Sequence, residues 1–334
     1  MSLSLAAPVP AARVPGLPLA VGFAALAGGA AVLAGGFPVG LSVAVVFLFA
    51  GPHNWLEARY ILGRLPARTG KLLPFFVVSF VGIVGLVAAF AALHLIPTPE
   101  YELYGGEIVA GWCTLLVLWV ATLVQMRANT APKFDAGWVW AAAFAVLAGV
   151  WMWPFALPAI LVYAHPLVAL VLLDRELYRS HRSWRPAYRR AVLAIPALLL
   201  VLFWKLHDAP DLPETDPLTE AICRHADSGF LTGLSTHFLV AAHTFLETVH
   251  YGVWVLLIPL IGLRSKPWEL KAIPAARRNR TWASGVAVVL LFGLFAVAVL
   301  WAAFRTDYGT TRTIYFTVAF LHVLAEVPFL LRMV

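Results

Sequence analysis

Residues 282–304 read WASGVAVVLLFGLFAVAVLWAAF, a run with no charged residue and a tryptophan near each end. Wound as an α-helix rising about 1.5 Å per residue, such a run crosses a hydrocarbon core about 30 Å thick. Working outward from it, comparable runs occupy 17–37, 40–63, 72–96, 107–125, 137–153, 154–173, 190–206, 238–263 and 312–331. Only Trp151-Met152-Trp153-Pro154 separates the fifth from the sixth. The fold expected is an all-α, polytopic transmembrane helical bundle of about ten spans. Residues 1–16, rich in Ala, Pro and Val, read as a flexible N-terminal tail, and 17–334 as one integral-membrane helical domain. The run at 17–37 exceeds a signal-peptide core and lacks a clear small-residue cleavage pattern.

Composition agrees. Of 334 residues, 61% are hydrophobic and 12% charged, against about 45–50% and about 25% in a soluble domain. The net charge of +7 does not point to nucleic acid, because the basic residues cluster in short loops beside apolar spans. Arg64, Arg68 and Lys71 mark one loop, and Arg127 and Lys133 the next. Arg175, Arg179, Arg182, Arg185, Arg189 and Arg190 mark a third; Arg264, Lys266, Lys271, Arg277, Arg278 and Arg280 mark a fourth. The loops between are acidic or nearly neutral, with Glu100, Glu102 and Glu107, then Asp208, Asp211, Glu214, Asp216, Glu220 and Asp227. Basic loops stay on the cytoplasmic side, so both termini are expected there, which requires an even number of spans. A bacterial inner membrane is the expected location. Trp138, Trp153, Trp204, Trp268 and Trp282 suit interfacial belts. Cys113 and Cys223 form no CxxC and no evident disulfide framework.

Ionisable side chains inside a membrane are costly unless paired, and each is a functional candidate by default. The span-interior carboxylates in this reading are Glu57, Glu247 and Glu326, and each follows a histidine by four residues: His53-Asn-Trp-Leu-Glu57, His243-Thr-Phe-Leu-Glu247 and His322-Val-Leu-Ala-Glu326. The second continues to His250, giving HxxxExxH. Residues three or four apart share a helix face, so His243, Glu247 and His250 form one polar stripe. Counted in from the basic ends, His53, His165, His250 and His322 lie within about 8 Å of one level near mid-membrane.

Imidazole with carboxylate suits iron, zinc or manganese, and helical bundles build such sites from facing helices. Glu247-x-x-His250 has the spacing by which di-iron carboxylate proteins bring two ligands to one cluster. The candidate metal ligands are therefore His53, Glu57, His165, His243, Glu247, His250, His322 and Glu326. Asn54, Arg59, Tyr60 and His237 are candidate outer partners. Arg59 has three readings: neutralising a carboxylate, gripping an anionic head group, or snorkelling to the interface. His94, His181, His207 and His225 read as solvated or interfacial. The competing plain reading is that the His/Glu pairs are hydrogen bonds joining helices.

Membrane desaturases and hydroxylases hold two irons through HxxxH and HxxHH boxes; this chain has no HxxHH, and its boxes contain Glu. The four level histidines resemble in arrangement the scattered iron-binding histidines of membrane-embedded carotenoid-cleaving oxygenases, without a motif that aligns. HExxH, a Gly-rich phosphate loop before a helix, and CxxCH are all absent. The expected function is an intramembrane metalloenzyme using one or two irons to oxidise a lipid, isoprenoid or carotenoid. Its partners would be membrane lipids, a hydrophobic small molecule and an external electron donor, since no soluble segment is long enough to carry a flavin or an iron–sulfur cluster. The rival readings are a zinc-dependent lipid hydrolase, a proton-coupled transporter with a His/Glu relay, and a b-type cytochrome holding haem b between axial histidines.

Overall fold

The structure is a computed structural model that describes residues 15–93, 95–130, 135–213, 215–227, 229–264 and 266–333. The tail through residue 14, His94, Lys133 and Glu214 lie outside the described residues. Among those described, all regular structure is helical: α1 Leu17–Gly36, α2 Pro38–Arg64, α3 Leu73–Leu93, α4 Thr98–Thr130, α5 Val139–Met152 and α6 Ala156–Ser180. There follow α7 Arg185–Val192, α8 Ala194–Leu206, α9 Pro217–His225, α10 Thr236–Gly252, α11 Ile258–Ile261, α12 Arg280–Thr306 and α13 Tyr308–Met333. Nine helical segments of the described chain are long and apolar enough to span a membrane, and α5 is a shorter apolar helix of 14 residues. At about 21 Å, α5 falls short of the hydrocarbon thickness. The basic ends of α4 (Arg127) and α6 (Arg179) nevertheless share a side only if α5 crosses between them.

Three of the apolar runs fold with bounds that differ from their apolar stretches. α4 starts well before residue 107, because Glu100 in its first turn complements the helix N-terminus. The run at 190–206 is two helices, α7 and α8, hinged at Leu193. Pro196 cannot donate to the carbonyl of residue 192, so the ladder breaks there. α6 continues past residue 173 and carries Asp174 and Glu176 with it.

α10 is the hub. Leu239 to Glu247 are all buried, and so are Val249 to Tyr251. It packs against α1, α2 and α6 in one apolar core, while α3, α4 and α13 share another. Gly252 lets α1 come close: a Cβ there would lie 2.5 Å from Leu26 Cδ2. A π-helical turn, Val253–Leu257, follows at once and re-aims the chain into α11. Such turns in membrane helices recur beside functional side chains.

Gly82 is a second close approach. Trp119 lies across it and donates from Nε1 to the Val78 carbonyl at 3.1 Å; a Cβ on residue 82 would sit 1.9 Å from that nitrogen. Gly82→Ala is therefore expected to expel the indole and destabilise the α3–α4 contact by about 2 kcal/mol. Thermal unfolding of purified protein in detergent reads this out, and an unchanged midpoint contradicts it.

Candidate metal centre

Four histidines from α2, α6, α10 and α13 meet in the middle of the bundle. His53 and His322 have ring centroids 5.1 Å apart, and His53 and His250 5.4 Å. His165 stands 4.8 Å from His250 and 4.9 Å from His322. One ring nitrogen from each of His53, His250 and His322 can be chosen so that all three lie within 4.8 Å of one another.

The hydrogen bonds decide which nitrogens are open. His53 Nδ1 lies 3.1 Å from the Phe49 carbonyl and His250 Nδ1 3.2 Å from the Pro166 carbonyl. A carbonyl only accepts, so each Nδ1 carries the hydrogen and each Nε2 keeps its lone pair. Both Nε2 atoms are buried without a partner. His165 Nδ1 is 3.0 Å from Glu326 Oε2, and His165 Nε2 is 3.1 Å from His322 Nε2. With Glu326 ionised, His165 donates to it from Nδ1, and its Nε2 then accepts from His322 Nε2–H. That leaves the lone pair of His322 on Nδ1, which is likewise buried and unpartnered. Two tautomers are thus fixed by backbone carbonyls, which leaves the Nε2 lone pairs of His53 and His250 open, while His322 is tied to His165 through Nε2. Orienting a ligand imidazole through its other nitrogen is how metal-binding histidines are held.

Glu57 is 1% exposed, and neither of its carboxyl oxygens has a partner; Glu326 Oε1 has none either. Glu57 and Glu326 are near enough to feel each other's charge. Two carboxylates beside three neutral imidazoles match the charge of one divalent cation, which a low-dielectric interior demands. The residues present therefore fit a metal ion.

His243 and Glu247 stand apart from this group. Seven residues separate His243 from His250, so it shares the face but lies about 10 Å farther toward the acidic loops. There its ring meets His225 at 5.0 Å. His225 packs on Phe316 at 4.2 Å, and the Arg312 guanidinium lies 4.7 Å over that same Phe316 ring. Burial, with His243 and Arg312 close by, holds the His225 imidazole well below its ordinary pKa, so it is neutral at pH 7. Glu247 Oε1 accepts from Tyr251 at 2.8 Å, and the Tyr251 ring lies 4.5 Å from that of His53. Asn54 donates to Tyr315 Oη at 3.3 Å and so borders both groups.

The other expected outer partners lie elsewhere. Arg59 is buried and donates to the Pro267 and Glu269 carbonyls at 2.5 and 3.1 Å, tying down the loop after α11 rather than touching Glu57. Tyr60 donates to Glu176 at 2.9 Å, and Arg64 meets the same oxygen at 2.5 Å. His237 Nε2 is 3.4 Å from the Gly35 carbonyl. Sequence reasoning missed Glu176, His225 and Arg312. Asp216 before Pro217, with Glu220 in the first turn, is an N-terminal helix signature that places His225 at a helix end facing the bundle.

The turn after α9 has its own charge. Asp227 adopts a φ of +61°, its carbonyl accepts from Phe230 and Leu231, and Tyr163 pins the neighbouring Ala226 carbonyl at 3.0 Å. Burial pushes the Asp227 carboxyl up to about 6. A carboxyl raised above its unfolded value of about 4 stabilises the turn below that pH and loses the contribution as pH climbs through about 6. Hydrogen exchange of the Phe230 and Leu231 amides should accelerate between pH 5 and 7 beyond the intrinsic rate. Asp227→Asn, which tolerates positive φ, should remove the excess; an excess that persists in the variant contradicts the assignment.

An apolar cleft of about 300 Å³ lies between α4, α5, α6 and α13, lined among others by Val120, Trp138, Leu161, Phe320, Val323 and Leu324. Val323 adjoins His322 in α13, and Leu161 lies one turn before His165 in α6. Comparisons with family models, curated proteins and solved structures found no match to this chain.

Proposed function

We propose that this chain is an intramembrane metalloenzyme whose iron, held by His53 Nε2, His250 Nε2 and a ring nitrogen of His322, serves the oxidation of a lipid, isoprenoid or carotenoid. The observation that supports the reading is the convergence of three imidazoles from three helices, with one ring nitrogen of each within 4.8 Å of the others and one ring nitrogen of each unpartnered. Three protein ligands leave coordination positions free, as catalytic metal sites do. A bound iron supplies redox and Lewis-acid chemistry that no side chain here offers.

The chain's own residues do the rest. His165 and Glu326 orient His322, while Glu57 and Glu326 balance the ion's charge and are placed to hold a proton or a second ion. The surrounding apolar helices exclude water. The cleft beside α13 opens among apolar side chains only, which suits a substrate already dissolved in lipid. In a bacterial inner membrane the basic loops would keep both termini on the cytoplasmic side, where an external electron donor would dock.

Metal content and the visible spectrum of detergent-purified protein test the reading. Iron at one or two equivalents without a Soret band is the expected result. Zinc at that stoichiometry would replace oxidation by hydrolysis, and a Soret band by haem b. A second reading, proton-coupled transport, is favoured by one observation: His225, His243 and Glu247 extend the polar groups outward from the imidazole cluster toward the acidic loops. Metal-free protein that moves protons in vesicles, with flux lost in Glu247→Gln, would establish it instead.

A further inference from the structure

The apolar cleft between α4, α5, α6 and α13 ends in cations on its cytoplasmic side. Its lining on α4 runs from Leu116 through Val120 to Val124, about 12 Å along the helix. Arg127 follows Val120 and Val124 at helical spacing, so the stripe of α4 that lines the cleft finishes in a guanidinium. Trp138, which also lines the cleft, is 58% exposed and suits the membrane–water interface at this level.

Arg127 is held in place by α13. Its Nε donates to the Leu331 carbonyl at 3.1 Å, and the Leu331 side chain packs on the cluster of Val124, Ala136 and Val139 at the same end of the cleft. Arg332, next in α13, donates to the Arg64 carbonyl. Neither Arg127 nor Arg332 forms an ion pair among the described residues. The further contact of Arg127 is the uncharged Thr130 Oγ1, 3.5 Å from Nη1. Asp135, the carboxylate between α4 and α5, accepts from the Gly137 amide at 2.9 Å in its own turn and meets neither arginine.

Basic residues belong at this level of a membrane protein whatever they bind. That rule does not account for a guanidinium fixed between two of the helices that form an apolar cleft, with no carboxylate to neutralise it. The two features together fit one amphiphile, with an anionic head to meet Arg127 and a hydrocarbon chain to fill the cleft. Phosphate matches the planar fork of arginine, and basic pockets between helices on the cytoplasmic side suit anionic phospholipid heads. At about 300 Å³ the cleft is at the small end of ligand pockets, which suits one chain rather than a whole lipid.

We propose that this cleft binds an anionic phospholipid of the cytoplasmic leaflet, with its phosphate at Arg127 beside Arg332 and one acyl chain between α4, α5 and α13. The site rests on the arginines and the cleft alone, and it holds whether or not the histidines bind metal.

The test is equilibrium binding of radiolabelled dioleoyl-phosphatidylglycerol to the purified full chain in detergent. Unlabelled phosphatidylglycerol, phosphatidylcholine with the same chains, hexadecane and inorganic phosphate are the competitors. Phosphatidylglycerol should compete at least about tenfold better than any of the other three. Arg127→Gln, which removes a charged contact, should weaken binding about tenfold. Ala142→Trp, which fills the cleft from α5, should weaken it as much with the arginines intact. Arg277→Gln is the control: Arg277 is exposed before α12, which lines no part of the cleft, and this variant should bind as the parent does. Phosphatidylcholine, hexadecane or phosphate competing as well as phosphatidylglycerol overturns the proposal. Equal losses in Arg127→Gln and Arg277→Gln would mean diffuse surface charge and overturn it too, as would full affinity in both Arg127→Gln and Ala142→Trp. If a variant does not fold, the order of competitors on the unaltered chain decides. Metal content of the same samples tests the metalloenzyme reading separately.

Discussion

Purified protein carrying His250→Ala should lose its metal, with affinity falling by more than about 100-fold, and His53→Ala and His322→Ala should behave alike. The estimate follows from rank: replacing even the outer partners of ligand histidines costs about 10–100-fold in affinity, and these three rings carry the unpartnered nitrogens themselves. The series has internal controls. His165→Gln should lose less than the three ligand variants, because His165 holds His322 in its tautomer through the 3.1 Å ring contact rather than facing the ion. His243→Gln and His225→Gln should keep full metal content, since both rings stand about two helical turns outward. Metal analysis after dialysis reads all six. Equal losses across them would dissolve the distinction between the two polar groups.

Glu176→Ala should destabilise the cytoplasmic end of the bundle by about 3 kcal/mol, toward the low side of what breaking a buried ion pair costs because Arg64 keeps some contact with water. Glu176 is almost fully buried; it accepts from Tyr60 at 2.9 Å and Arg64 at 2.5 Å. The Arg64 carbonyl in turn receives Arg332 of α13. Removing the carboxylate therefore leaves a cation and a phenol without their acceptor where α2, α6 and α13 end together. Glu176→Gln should recover part of the loss, since it still accepts from Tyr60. Thermal unfolding in detergent distinguishes the two variants. An Ala variant as stable as the parent would mean that this cluster is solvated.

The bundle was legible in the sequence because membrane thickness imposes a length that nine apolar segments of the described chain meet, with α5 shorter. Its irregularities followed local chemistry instead. Pro196 splits one run into α7 and α8, and the acidic start of α4 hides a helix that begins at Thr98. The site was legible in outline. Helical spacing placed each Glu beside its His, and counting from the basic ends put His53, His165, His250 and His322 at one depth. Spacing along one helix cannot say which nitrogen of a ring is open. The separate part of His165 emerges only from its contacts with Glu326 and His322 on another helix. Arg312 and His225 stayed hidden for a related reason: each sits where a span meets a loop, a position that reads as interfacial until α9 folds back over α10 and α13. Glu176 was missed because α6 runs beyond its apolar stretch.

The account stands on metal coordination by imidazoles from three separate helices. X-ray absorption at the metal edge of purified protein measures that directly. The result expected is an ion with three histidine nitrogens at about 2.0–2.2 Å, and with the imidazole scattering signature reduced in His250→Ala. Protein without a bound ion, or an ion whose ligands are not imidazoles, would contradict it.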